Sequence, residues 1–253
     1  MKKIISIFIT AALILSTAAC GNNEDSSKKD ADGKVTQVAF DAPEEEDTTK
    51  EAIEYLKTQI PLFAKYLETR RGIPLTFKTE VNTPDTSEIT EICIRDKDSV
   101  AVSATNSNGD VTRIVYMDKA MYYIDNDEKT IYVSESTKEG IRGVVDSYRL
   151  NIKLEDAQMF NYESDTATYN DTSYKHEVIY SGSAPAHYYY DEGTEELKYI
   201  VSGETETKVL VLENTVDEDI FELPAGYKKA TYEEYIEKIR AEQASEAQTQ
   251  AAE

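Results

Sequence analysis

The stretch VTRIVYMDKAMYYIDNDEKTIYV, residues 111–133, decides the fold. It contains three strand-like runs, at about 110–117, 120–125 and 129–134, and the last two are joined by the polar turn 125–128. Short apolar runs between polar turns are typical of antiparallel strands joined by hairpins. Large apolar or aromatic residues occur at both odd and even positions, so both faces of the predicted sheet must be covered.

The same period of two continues before and after this stretch. Further strands are predicted at about 74–81, 89–95, 99–105, 173–181, 186–190, 197–202 and 205–212, and a weaker pattern lies at 158–163. The pair Asn108-Gly109 predicts a two-residue hairpin turn, because both residue types accept a positive φ. The chain is therefore dominated by an antiparallel meander.

An apolar stripe near residue 60 predicts the element that covers one face of the sheet. Its members recur at steps of three and four and are Ile53, Leu56, Ile60, Phe63 and Leu67. Thr48 and Glu51 predict a capping box at its start, and Pro61 predicts a kink or a division into two short helices.

Two more helices are predicted further along the chain. One covers about 137–148, with Ser136 and Glu139 as its capping box, and its apolar side carries Ile141, Val144, Val145 and Tyr148. It is either an ordinary connection or a mobile flap, since two glycines weaken it. The other begins near Tyr232, with Thr231 and Glu234 as its box.

The N-terminus has the features of an export signal. Lys2 and Lys3 precede an apolar run of about twelve residues, which is too short to span a bilayer, and small residues then lead to Cys20. This segment resembles a bacterial lipoprotein signal. The resemblance implies cleavage between Ala19 and Cys20 and a diacylglyceryl group on the Cys20 thiol, which would anchor the chain to the outer side of a cell membrane, in a Gram-positive bacterium. The alternative is a secreted protein with an incidental cysteine.

Composition divides the chain into four segments. Residues 1–19 are the predicted lipoprotein signal peptide, 20–47 an acidic flexible tether, 48–240 a single folded domain and 241–253 a frayed or disordered tail. The net charge of −22 argues against nucleic acid as a partner, because like charges repel.

The sequence offers little support for catalysis. His176 and His187 lie in strand-like runs without a nucleophile motif, and Cys93 between two isoleucines is better explained as a buried, inert thiol. No metal-binding or phosphate-binding motif occurs, so no catalytic residue, metal or cofactor is predicted. The Tyr188-Tyr189-Tyr190 run has two explanations. Either tyrosine is present for its high strand propensity, or the rings stack on a sugar or line an apolar cavity.

The order of these elements resembles a known family. The segments 114–125, 129–133 and 219–227 are similar in pattern to the LolA-like half-barrel proteins, which carry lipoproteins or glycolipids through bacterial envelopes, and to their membrane-anchored relatives. The resemblance implies an α+β fold in which a strongly curved antiparallel sheet, an open half-barrel of about ten strands, is covered on its concave face by helices.

The resemblance also implies a cavity for a lipid or another hydrophobic ligand. The residues expected to line it are Ile53, Leu56, Ile60, Phe63, Leu67, Tyr122, Ile124, Tyr132, Ile141, Val144 and Val145. A filled core would give the same pattern. The competing hypothesis is a non-enzymatic envelope module that contacts another envelope protein through edge strands or its tyrosine-rich face.

Overall fold

A computed structural model describes residues 46–181 and 184–250, with side chains from residue 48 to 241 outside that gap. The predicted signal peptide, Cys20 and almost all of the tether lie outside these residues. No helix in the described part of the chain is long and apolar enough to cross a membrane.

In the residues that the structure describes, twelve strands form one open sheet. They are β1 Leu75–Asn82, β2 Ser87–Asp96, β3 Ser99–Asn106, β4 Val111–Met117, β5 Ala120–Asp125, β6 Thr130–Glu135, β7 Asn161–Tyr169, β8 Thr172–Tyr180, β9 Ala186–Asp191, β10 Leu197–Ser202, β11 Thr205–Glu213 and β12 Lys228–Thr231. The order is β12-β6-β5-β4-β3-β2-β1-β11-β10-β9-β8-β7. Only β12, beside β6, is parallel to its neighbour among these strands. The α+β half-barrel prediction is confirmed, with twelve strands instead of about ten.

The hairpin turns differ from the sequence-based expectation. Only Gly109 has a positive φ in the Asn108-Gly109 turn, and the Asn106 side chain closes that turn by accepting from the backbone N–H groups of Asn108 and Asp110. The two-residue turns with two positive φ angles are Asp118-Lys119 and Asn170-Asp171. Asn and Asp tolerate this region more readily than other residues, and the flanking strands impose it on Lys119 as well.

Five α-helices and one 3₁₀ turn complete the described chain. They are α1 Glu46–Gln59, α2 Pro61–Arg71, α3 Lys138–Tyr148, α4 Leu154–Met159, α5 Tyr232–Gln250 and the turn Glu218–Phe221. The predicted division at Pro61 is confirmed, and Thr231 accepts from the Glu234 N–H as predicted. α5 continues through the segment that was expected to fray, as far as Gln250.

Three local predictions were wrong. Thr137, not Ser136, caps α3 by accepting from the N–H of Gly140, and Thr48 lies inside α1 instead of at its start. The weak pattern at 158–163 spans the end of α4 and the start of β7. The short element α4 was missed because six residues contain too few turns to show a helical period.

The helices cover one face of the sheet, here called the helical face. The predicted stripe of α1 and α2 is fully buried there, together with Ile141 and Val145 of α3. The opposite face is here called the outer face. Its β2–β6 half is covered by residues 216–227, whereas no described helix packs on its β7–β10 half.

Candidate functional site

A groove lies between α2 and the strands β10 and β11; we call it the α2 groove. Its volume is about 350 Å³, at the small end of the range for small-molecule pockets. Its lining residues are Leu62, Lys65, Tyr66, Thr69, Tyr190, Glu195, Glu196, Leu197, Lys198, Val209, Leu210, Val211, Leu212 and Glu213. α2 forms one wall, and the strands with the β9–β10 turn form the other.

A buried carboxylate fixes the α2 wall on the sheet. The Glu177 side chain of β8 accepts hydrogen bonds from the backbone N–H groups of Leu62 at 3.0 Å and Phe63 at 2.6 Å. It caps the first turn of α2, where the Ile60 side chain cannot. Burial raises the pKa of Glu177, and the two backbone donors oppose that rise.

Tyrosines form the floor of the groove. Tyr66 and Tyr190 are both buried, and the Tyr190 hydroxyl has no hydrogen-bond partner among the described residues. The Tyr66 ring packs against Phe63 and Tyr188, with 5.9 Å and 6.1 Å between the ring centres. Desolvation raises the pKa of the Tyr66 phenol and of the Tyr190 phenol, so both remain neutral donors at physiological pH.

Charged residues surround the mouth of the groove. Lys65 Nζ lies 3.8 Å from a carboxylate oxygen of Glu195, and Lys198 Nζ lies 2.7 Å from one of Glu196. These exposed pairs contribute little stability. Below them, Leu62, Val209 and Leu212 provide apolar walls. The groove is therefore polar at its mouth, apolar along its walls and phenolic at its floor.

The residues predicted to line a cavity lie elsewhere, and none of them lines the α2 groove. Most are packed in the core of the helical face, with Val144 at its margin and Tyr132 beside Tyr123 and Tyr235 of α5. Tyr122 and Ile124 lie on the outer face, so they cannot line the same space as Phe63. Sequence reasoning missed the groove because its walls come from distant segments.

Cys93 is buried on the outer face, as expected for an inert thiol. Burial raises its pKa to about 11, and its Sγ lies 3.7 Å from the Thr76 hydroxyl. A thiol with such a pKa carries almost no thiolate at neutral pH and is a poor nucleophile.

The tyrosine-rich half of the outer face forms what we call the ring cluster. Its members are Tyr169, Tyr174, His176, His187, Tyr189 and Tyr199. The Tyr189 ring lies between Tyr169, at 4.6 Å and 21°, and His176, at 4.7 Å and 20°. Both faces of Tyr189 are thus occupied by neighbouring rings, which leaves no face of this ring for stacking on a sugar.

The two histidines form a hydrogen-bonded chain with one carboxylate. His176 Nδ1 lies 2.7 Å from Asp165 Oδ1, and His176 Nε2 lies 3.0 Å from His187 Nδ1 in rings that are parallel within 4°. If both rings are neutral, His176 donates to Asp165 through Nδ1 and His187 must donate through Nδ1. Burial, followed by the nearby His176, lowers the pKa of His187, while Asp165 and Glu163 oppose that shift.

Comparison with known proteins gave matches in structure only. No protein-family model matches the sequence. No curated protein matches it either. The chain is similar to LprF from Mycobacterium bovis, at 9% identity and TM-score 0.43, covering 71% of this chain and 99% of LprF. It is also similar to the lipoprotein LppX of Mycobacterium tuberculosis, at 11% identity and TM-score 0.38, covering 62% and 96%.

A third match is the MucA/MucB complex of Pseudomonas aeruginosa. The identity is 9% and the TM-score 0.38, with 68% of this chain covered. This chain spans 62% of the matched chain in that complex. At such identities and TM-scores, these matches carry no information about what this chain binds.

Proposed function

We propose that this protein is a membrane-anchored, extracytoplasmic lipoprotein that binds a hydrophobic or amphiphilic small molecule in the α2 groove and catalyses no reaction on it. The observation that carries the proposal is the groove itself. It leads from solvent past apolar walls to Tyr66 and Tyr190, in the core of the helical face. Charged groups at the mouth, apolar walls at Leu62, Val209 and Leu212, and phenols at the floor together suit a ligand that is itself part polar and part apolar.

The anchor follows from the sequence around Cys20 and is tested separately. We expect Cys20→Ser to move the chain from the membrane fraction to the soluble fraction, because the acyl chains would no longer be attached. Retention of the Cys20→Ser chain in the membrane would contradict the lipoprotein proposal without affecting the groove.

The groove is tested with a photoactivatable fatty acid and the full chain. We expect crosslinks in peptides that carry 62–69 and 209–213, which form opposite walls. Native mass spectrometry of the full chain, extracted gently from cells, should also show an added mass from a non-covalent hydrophobic ligand. Treatment with organic solvent should remove that added mass. Acyl groups on Cys20 would remain covalently attached and so are distinguished from that ligand.

Two tryptophan variants provide a matched comparison. Val209→Trp would fill the groove, whereas Val111→Trp adds the same bulk at an outer-face position that is 44% exposed. We expect Val209→Trp to reduce crosslinking at least tenfold and Val111→Trp to leave it unchanged. Crosslinks spread evenly over exposed apolar residues, or equal labelling of both variants, would disprove binding in the groove.

A free sheet edge supports a second candidate, which is recognition of another envelope protein. Among the described strands, β7 is the last one of the sheet and pairs only with β8, and it is mostly exposed along its length. An extended segment could add to this edge through backbone hydrogen bonds. We expect a photocrosslinking amino acid placed at Thr168 to capture one particular envelope protein reproducibly in replicate experiments on intact cells. The same residue at Lys208, on the exposed outer face, should not capture it.

A further inference from the structure

Arg70 is a buried cation near the end of α2. The residue is 3% exposed, and its guanidinium carbon lies 4.0 Å from the centre of the Phe77 ring. Nη2 donates to the backbone oxygen of Tyr148 at 2.9 Å, whereas Nε and Nη1 have no hydrogen-bond partner. No carboxylate in the described part of the chain forms an ion pair with it.

This arrangement is unfavourable for the protein alone. A buried charge without a counter-ion loses its hydration without full compensation, and unpaired N–H groups add to that cost. The C-terminal carbonyls of α2 and the Phe77 ring compensate only in part. Burial accordingly lowers the pKa of Arg70, and the neighbouring Tyr66 opposes that shift.

The other buried charge of this region does not supply the missing counter-ion. Glu177 binds the N-terminal N–H groups of α2, while Arg70 lies at the opposite end of the helix. The two positions are about 12 Å apart along the axis, at roughly 1.5 Å of rise per residue. Each charge is matched to its helix end, but they cannot neutralise each other.

Arg70 lies next to the floor of the α2 groove. Tyr66 lines the floor and precedes Arg70 by one helical turn, so both side chains project from the same side of α2. Tyr190, whose hydroxyl is also unpartnered, lines the same floor. In the described part of the chain, three residues have buried polar atoms without a partner. Tyr190 lies at the floor of the groove and Arg70 beside Tyr66 of that floor, whereas Thr207 is not among the lining residues.

We propose that the ligand is a single-chain amphiphile with an oxyanion head, a carboxylate or a phosphate, which enters the groove head-first and binds Arg70. Tyr66 and Tyr190 lie along the path of the head, and the acyl chain contacts Leu62, Val209 and Leu212. The assignment rests on the proposed function, because it names the ligand class of the α2 groove. Tyr66 lies beside the Arg70 side chain, so this binding mode requires the Tyr66 ring to turn aside for the head to reach the guanidinium.

The test uses the full chain and three probes with the same tail: dodecanoate, dodecyl phosphate and 1-dodecanol. We expect the oxyanions to bind about tenfold or more tightly than the alcohol, because hydrogen bonds to a buried cation strengthen binding by that order. The stronger of the two oxyanions identifies the head. Affinity is measured by displacement of a fluorescent fatty acid below the critical micelle concentration of each probe.

Three variants locate the effect. Arg70→Met should lose the preference for oxyanions while still binding dodecanol, and Arg70→Lys should keep part of it because the charge remains. Lys208→Met removes the same charge from the exposed outer face and should keep the full preference. An unchanged melting temperature with dodecanol bound shows that Arg70→Met is folded, and the wild-type comparison of probes needs no variant.

The outcomes separate this inference from the proposal on which it rests. Equal binding of the three probes by the wild type, or a preference that survives Arg70→Met, would overturn the role of Arg70 and leave the groove as a neutral ligand site. Failure of all three probes to bind would remove both the assignment and the groove function.

Discussion

The two halves of the outer face are covered in different ways. On the β2–β6 half, aliphatic residues and Cys93 are covered by the segment 216–227, and Phe221 is buried among them. On the β7–β10 half, the rings of the ring cluster cover one another, and no helix of the described residues packs over them. Tyr189 remains half-exposed there, whereas Tyr174 and His176 are buried by their neighbours.

This difference follows from the chemistry of the side chains. Aliphatic groups gain stability only when they leave water, so they need a covering segment. Tyr and His rings can bury their faces against one another while their polar edges remain hydrated. The covered half therefore depends on a distant part of the chain, and the ring cluster depends on local strand pairing.

The largest expected effect is on the covered half. Phe221→Ala should lower the free energy of unfolding by about 3–5 kcal/mol, the usual cost of removing a buried phenyl ring. It also removes the ring that lies 4.6 Å below the guanidinium carbon of Arg95. Urea denaturation measures the change, and Val111→Ala on the exposed surface should change stability by less than about 0.5 kcal/mol. Similar values for both variants would mean that the segment does not stabilise the sheet.

A smaller effect is expected in the ring cluster. Tyr189→Leu should cost about 1 kcal/mol, because it preserves apolar area and loses mainly the ring–ring contribution. A double-mutant cycle with Tyr169→Leu should give a coupling energy of about 0.5–1.5 kcal/mol. Additive effects of the two substitutions would show that the rings cover the surface independently and that stacking does not hold the cluster.

The ring cluster should also be sensitive to acid. The pKa of folded His187 is lowered from its ordinary value of 6.5, so its contribution to stability is present above about pH 6.5 and is lost as the pH falls toward the folded pKa. Wild type should lose more stability than His187→Asn between pH 7 and pH 5.

Asp165, Glu163 and His176 face His187 and remain in both proteins, so the difference between the two pH profiles reports what depends on His187. Glu177, whose pKa is raised and whose effect on stability has the opposite sign, is also present in both proteins. Parallel pH profiles for wild type and His187→Asn would rule out the histidine pair as the source of acid sensitivity.

The smallest expected effect is the alkylation of the Cys93 thiol in the native protein, which should be close to zero. With a pKa of about 11 and a buried side chain, this thiol should not react with iodoacetamide at pH 8 in the native protein. Mass spectrometry of the peptide that contains Cys93 measures the labelling. Rapid labelling in the wild type would mean that the cover over the β2–β6 half opens readily, and Phe221→Ala should accelerate it.

Periodicity in the sequence was sufficient for ten of the twelve strands, and Pro61 was sufficient for the division between α1 and α2. The sequence pattern failed at β7, at the Asp118-Lys119 turn and at β12. The four residues of β12 pair in parallel with β6, about a hundred positions away. In each case a neighbouring strand imposes a conformation that the local residues only tolerate.

The sequence by itself determined the alternation of the strands, the amphipathic stripe and the lipoprotein-like start, because these depend on residues close together in the chain. Only the tertiary structure decided where the α2 groove lies, since its walls join residues near 65 to residues near 210. The same holds for Arg70, which a sequence pattern would place among ordinary basic residues at a helix end. Its burial without a counter-ion depends on Phe77 and Tyr148, which only folding brings to it.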